Sequence, residues 1–313
     1  MKNPRIITEG LRFPEGPVAL PDGSVVVVEI EAGNVTRVWP DGKKDVVAHV
    51  GGGPNGAAVG PDGKLYICND GGFAWTDLGG MLLPFGPHGV TQPDDYVGGS
   101  IQRVDLETGD FETLYTECDG VQLKGPNDIV FDSAGGFWFT DHGKVRLRDR
   151  DRGAVYYAST DGSSIREVIF PMDAPNGIGL SPSGDTLYVA ETHACRLMAW
   201  PVTAPGVADT SGLVPPGGNL LCKLPGHALF DSLGVEAGGN ICVATLAEGG
   251  ITVVSPTGEV ERNDIPAETF DPLVTNICWG GDDMKTAYIT TSATQKLITC
   301  EWPIPGKRLA FNA

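Results

Sequence analysis

The stretch FPEGPVALPDGSVVVVEI, Phe13 to Ile30, decides the architecture, because the chain repeats its layout. GPNGAAVGPDGKLYICND (Gly53 to Asp70), GPNDIVFDSAGGFWFTD (Gly125 to Asp141) and APNGIGLSPSGDTLYVAE (Ala174 to Glu191) follow the same grammar. LFDSLGVEAGGNICVAT and VTNICWGGDDMKTAYIT complete the series, so the units begin near Glu15, Asn55, Asn127, Asn176, Asp231 and Asn276. Each reads as a polar head, a short apolar run, a Gly/Pro-rich turn, and a second run rich in β-branched and aromatic residues. Period-two alternation with frequent turn signals marks these runs as strands, and no segment keeps helical periodicity over three turns.

Further runs such as NVTRVWPDGKKDVVAHV, SIQRVDLETGDFETLYT, AVYYASTDGSSIREVIF and ITVVSPTGEVERNDIP supply third and fourth strands. Heads recur every 40 to 70 residues or so, near the length of one β-propeller blade. An open sheet of that many strands would leave long edges, whereas radial repetition keeps edges short and protected. The expected fold is all-β: a six-bladed β-propeller of four antiparallel strands per blade, forming a single domain over 1–313. MKNPRIITEG is expected to add a strand to the last blade and close the ring.

The 44 glycines and 24 prolines fall between apolar runs, and 41% hydrophobic residues suffice for a sizeable core. A net charge of −18 disfavours nucleic acid and anionic membrane surfaces as partners. Cys68, Cys118, Cys195, Cys222, Cys242, Cys278 and Cys300 form no CxxC pair and sit in apolar patterns, so they read as buried reduced thiols. The N-terminus has no apolar targeting core and no window is long and apolar enough to span a bilayer, so the expected location is cytoplasmic. Oligomeric state is not readable.

In a propeller the first strand of each unit lies innermost, so all six heads should meet at one mouth of the channel. The ends of the second strands return to the same mouth, bringing Asn69, Asp70, Asp141, His142, Glu191 and His193. Converging buried charges need a partner. Glu15 and Asp231 contribute two negative charges, and Asn127 and Asn176 two neutral oxygens. That set suits one hard divalent cation: Ca²⁺ first, with Mg²⁺ or Mn²⁺ completed by waters as alternatives. A PNG tripeptide that is a turn and nothing more is the competing reading for any single head.

These motifs, in this order over nearly the whole chain, resemble the SMP-30/gluconolactonase (regucalcin-like) family, which includes diisopropylfluorophosphatase-like propellers. The resemblance implies a six-bladed propeller with one divalent metal at the channel mouth, and a lactonase (cyclic ester hydrolase) acting on a small-molecule lactone. It places metal ligands at Glu15, Asn127, Asn176 and Asp231, the Asn127 position binding metal in some members and mainly substrate in others, with Asp231 also the catalytic base or nucleophile. Zn²⁺ and Fe²⁺ join the admissible ions. Asn55, Asp128, His142, His193 and Asn276 are candidate substrate-binding residues, and His142 or His193 is an alternative proton acceptor. The fifth head departs from the family in having Ser232 after Asp231, and the family's sugar-orienting arginine has no evident counterpart.

Two rival functions stand beside this one. One is a different metal-assisted reaction, such as phosphotriester hydrolysis, on the same scaffold. The other is a noncatalytic propeller that binds a protein. No GxSxG elbow, P-loop or dinucleotide fingerprint is present. The segment at about 72–99, with Phe73, Trp75, Met81, Leu82, Leu83, Phe85 and His88, leaves from the head face. It reads as a lid over the channel or as an extra hairpin packed on a blade.

Overall fold

The computed structural model describes residues 1–311. Among them there is no α-helix, only two one-turn 3-10 helices. The strands assemble into six antiparallel sheets arranged radially, each with one head at its inner strand. The inner strands are Pro14–Ala19, Pro54–Val59, Pro126–Phe131, Pro175–Leu180, Leu229–Val235 and Val274–Gly280. The ring closes as expected: Lys2–Glu9 pairs antiparallel with Lys296–Glu301 and becomes the outermost strand of the sixth blade.

One departure lies in the fourth blade. Its third strand, Arg196–Ala204, pairs with both Val207–Ala208 and Asn219–Lys223, so that sheet has five strands instead of four. The insertion between the two short strands splits the outer edge.

Packing between blades is apolar. Trp138 and Trp200 are fully buried in a cluster that joins the third and fourth blades through Val130, Ile178, Leu187 and Val189. Truncating either indole to alanine would cost about 3–5 kcal/mol by transfer and cavity terms. All seven cysteines are free and six are buried, in line with their reading as small core residues.

The heads stand inside the inner strands, one to two residues past their first residue, and not ahead of them. Each inner strand breaks register at or next to its head, between Glu15 and Val18, Pro54 and Ala57, Pro126 and Ile129, Pro175 and Ile178, Phe230 and Leu233, and, just before the sixth head, Val274 and Asn276. Such a bulge re-aims the side chain beside it, here toward the axis. Neighbouring inner strands also come unusually close at this level. A Cβ on Gly16 would lie 2.5 Å from the carbonyl oxygen of Asn55, and one on Gly56 2.4 Å from that of Asn127. Only glycine fits after these two heads.

The chain's last described residues cross the other end of the channel. Gly306 donates to the Met284 carbonyl at 2.8 Å, Lys307 Nζ to the Leu180 carbonyl at 3.0 Å, and Phe311 packs on Phe131. Between this crossing and the heads lies a cavity of about 80 Å³ lined by Asp128, Ile129, Ile178, Leu233, Trp279 and Lys307, among others.

Candidate functional site

All six heads are nine-tenths buried or more. Glu15 Oε2 accepts from Gly16 N at 2.5 Å and from Asn276 Nδ2 at 2.8 Å. Asn276 Oδ1 in turn accepts from Ile277 N at 2.8 Å. Asn276, expected to touch substrate, is thus turned toward Glu15 and orients it. Asn176 Nδ2 donates to Thr192 Oγ1 at 3.2 Å, and its Oδ1 accepts from Ser232 Oγ at 3.4 Å. The serine that departs from the family pattern therefore steadies another head.

Asn127 is different. Its Oδ1 is buried and has no hydrogen-bond partner among the described residues. Buried carbonyl oxygens are nearly always satisfied, so an oxygen aimed into a polar cluster without a donor asks for a cation or a water.

The carboxylates make the same demand electrostatically. Burial lifts Glu15 to about 7, against the hydrogen bonds from Asn276 and Gly16. Burial and then the nearby Glu15 charge raise Asp231 well above the ordinary range, with Asn176 offsetting part of this. Asp128 is pushed up to about 8 by burial and by Glu15. Negative groups that repel one another in a desolvated space ionise together only if a positive charge joins them.

Glu15, Asn127, Asn176 and Asp231 therefore fit a hard divalent cation: two carboxylates, a free amide oxygen, and a second amide oxygen held only by a long bond to a hydroxyl. These are oxygen donors without thiol or imidazole, as Ca²⁺, Mg²⁺ or Mn²⁺ prefer.

Asp128 does not stand with the heads at the mouth. Its Oδ1 accepts from Ile129 N at 2.9 Å and its Oδ2 from Ile178 N at 3.3 Å, and it lines the cavity deeper in the channel. Asn55 donates through Nδ2 to Asp70 Oδ2 at 3.1 Å. His142 and His193 meet edge to face, 5.8 Å between ring centres, and His142 Nδ1 has no partner. Burial, reinforced by the charges of Lys144 and Arg150, drives His142 down to about 3, and His193 is lowered by burial and Arg150. Both rings are neutral near pH 7.

Asp141 and Glu191, brought back to the head level by their strands, are not part of the cluster. Asp141 accepts from Lys124 N and Gly125 N at 2.7 Å and from Gly143 N at 3.0 Å. Glu191 accepts from Asp173 N at 2.7 Å and pairs with Arg196. Glu29 takes Arg12 N at 2.6 Å, and Asn69 takes Gly53 N at 2.9 Å. In four blades the end of the second strand thus clamps the backbone that leads into the head.

Sequence reading missed Lys144, which is 1% exposed. Its Nζ donates to Asp70 Oδ1 at 3.1 Å and to the Gly72 carbonyl at 2.7 Å, 4.1 Å from the centre of the Phe73 ring. A lysine in TDHGK carries no local sign of burial, since lysine is usually solvated.

The segment at 72–99 forms a small hairpin, Thr76–Leu78 with Met81–Leu83, followed by a 3-10 turn at Pro87–Gly89. Leu82 is buried among Phe13, Ile30, Phe73, Trp75 and Leu273, and its N–H donates to the Ala293 carbonyl at 2.9 Å. Thr91 N donates to the Val145 carbonyl at 3.0 Å. The segment leaves the second blade and contacts the first, third and sixth on the head side. Among the described residues no helix is long and apolar enough to cross a membrane.

The chain is similar in sequence and in fold to several known proteins. The lactonase drp35 of Staphylococcus haemolyticus is 29% identical over 256 residues, spanning 81% of this chain and 69% of that protein. Its counterpart in Staphylococcus aureus strain MW2 is 29% identical over 252 residues, spanning 80% and 67%. Among solved structures, a gluconolactonase from Xanthomonas campestris superposes with TM-score 0.73 at 20% identity, covering 97% of this chain and 90% of its own. The calcium-binding protein regucalcin from Agrobacterium tumefaciens also gives TM-score 0.73, at 19% identity, covering 98% and 96%. At these identities the structural likeness speaks for the fold. The model of the SMP-30/gluconolactonase/LRE-like region matches residues 13–293, and the chain belongs to that family.

Proposed function

We propose that this protein is a metal-dependent lactonase whose centre is built by Glu15, Asn127, Asn176 and Asp231. The observation that carries the reading is the unpartnered Asn127 Oδ1 beside two carboxylates whose ionised forms burial and mutual repulsion disfavour unless a cation joins them. The kinship with lactonases supplies the reaction class. A divalent ion held there would polarise the lactone carbonyl and offset charge on its oxygen.

Asp231 takes the proton of the attacking water as the new C–O bond forms and the ring C–O bond breaks. The proton is then returned to the departing alkoxide. His142, driven down by burial and flanked by the charges of Lys144 and Arg150, is a poor proton acceptor, so the alternative of a rim histidine taking the proton falls to His193. Asn55 faces the substrate. Asn276 and Ser232 hold Glu15 and Asn176 in place. The segment at 72–99 covers part of the head face as a lid and favours lactones with an apolar portion.

The ion expected is Ca²⁺. Purified protein stripped with a chelator should open no lactone from a panel of sugar and aliphatic lactones, and activity should return with Ca²⁺ or Mn²⁺. Full activity in the stripped protein would refute metal dependence. Hydrolysis of phosphotriesters but of no lactone in the panel would favour the phosphotriesterase alternative.

A further inference from the structure

Asn55, Asp70 and Lys144 form a connected buried line from the head ring to the root of the 72–99 segment. Asp70 Oδ2 accepts from Asn55 Nδ2 at 3.1 Å. Asp70 Oδ1 accepts from Lys144 Nζ at 3.1 Å and from Gly72 N at 2.7 Å. Lys144 also donates to the Gly72 carbonyl at 2.7 Å and lies against Phe73 and, farther off, Tyr96. All three side chains are 4% exposed or less.

The chemistry of this line removes an ambiguity that an asparagine usually carries. An amide can be turned either way round, but a carboxylate only accepts, so the NH₂ of Asn55 must face Asp70. Its carbonyl oxygen must face away, and among the described residues no donor meets it. Asn55 is the head of the second blade, backed by Gly16 of the first and followed by Gly56 against the third. The amide is therefore fixed in one sense by groups outside the reacting centre.

We propose that Asp70, locked by Lys144, is a positioning residue that makes Asn55 an obligate hydrogen-bond acceptor, so that this point of the site discriminates between lactones that can and cannot donate to it. This rests on the lactonase reading and assigns a specificity-determining positioning residue to the same site. A site built to accept from a hydroxyl rejects an analogue that lacks the donor far more strongly than a pocket rejects a change of size.

Asp70→Asn provides a sharp test. The Oδ1 position of residue 70 receives both Lys144 and Gly72 N–H, so the carbonyl of the new amide must take that place. Its NH₂ then points at Asn55, and Asn55 has to turn its own NH₂ toward the substrate. Lys144 keeps a hydrogen-bond acceptor but loses its buried counter-charge, a cost that the double variant Asp70→Asn/Lys144→Met removes.

The experiment compares a hydroxylated lactone with its O-methyl ether, in wild type and Asp70→Asn. In wild type the hydroxylated lactone should be preferred. In the variant that preference should fall by about tenfold or more, chiefly through KM, with Ca²⁺ affinity unchanged. The double variant Asp70→Asn/Lys144→Met, in which the Gly72 N–H still holds the carbonyl of residue 70 in place, should show the same fall without a buried unpaired ammonium. Equal loss on both lactones, or an unchanged ratio, overturns the proposal. So does a fall in Ca²⁺ affinity, which would make Asn55 a metal ligand. Turnover of neither lactone in wild type would remove the lactonase reading instead. The proposal is then judged by calorimetric binding of the two ring-opened acids, where identical behaviour of wild type and variant overturns it.

Discussion

Two sets of buried polar side chains surround the channel mouth, and they differ in what satisfies them. The clamps at the ends of the second strands, Glu29, Asn69, Asp141 and Glu191, accept backbone N–H groups and are complete within the fold. Three of the heads nearer the axis are not. Asn127 Oδ1 has no partner, and Glu15 and Asp231 repel each other in a desolvated space. Burial alone does not separate function from architecture here, since both sets are hidden from solvent. Incomplete satisfaction does: a residue whose hydrogen bonds close on the backbone serves the fold, and one left open serves a ligand.

Substitution in each set should break the protein in a different way. Asp231→Ala should lower kcat on any accepted lactone by about 10²–10⁴-fold, the usual worth of a positioned acid–base group, while the melting temperature without metal stays level or rises. Retained turnover would dissolve the distinction. Asp141→Ala should do the reverse. Three N–H groups lose their acceptor, so stability should drop by about 3 kcal/mol or more in denaturant unfolding, with KM for lactone unchanged in the remaining folded protein.

A smaller effect sharpens the contrast through pH. Glu15 and Asp128 have carboxyl groups raised by burial to about 7 and about 8. Their unfolded values are about 4, so the metal-free fold binds protons more tightly than the unfolded chain does. Its stability is therefore highest below about pH 4 on this account, and declines as pH rises toward the folded values. A bound cation favours the ionised form. The rise in melting temperature on adding Ca²⁺ should be several degrees greater at pH 8 than at pH 5. A rise independent of pH would mean that these carboxylates take no part.

The repeat made the fold readable, because a polar head followed by two apolar runs recurs in register, and the same alignment singled out the six heads. Asn276 and Asp128 show where that reading stops. Both occupy or adjoin a head position, yet one props Glu15 and the other hangs its carboxylate on Ile129 and Ile178 deeper in the channel. Which of these roles a head adopts depends on bulges and interblade glycine contacts that appear only when six strands meet. Lys144 was invisible for a related reason. Its partners Asp70 and Gly72 lie more than seventy residues away in sequence, and nothing local marks it as buried. The split outer strand of the fourth blade comes from the 209–218 insertion, which has no strand pattern of its own.

The central claim is that Glu15, Asn127, Asn176 and Asp231 enclose one divalent ion. Crystals grown or soaked with Mn²⁺ and measured for anomalous scattering test it directly. One strong peak should appear on the channel axis, within about 2.0–2.6 Å of oxygens from all four side chains. A channel mouth filled only by water, with Asn127 Oδ1 hydrogen-bonded to it and no anomalous signal at saturating Mn²⁺, would contradict the account.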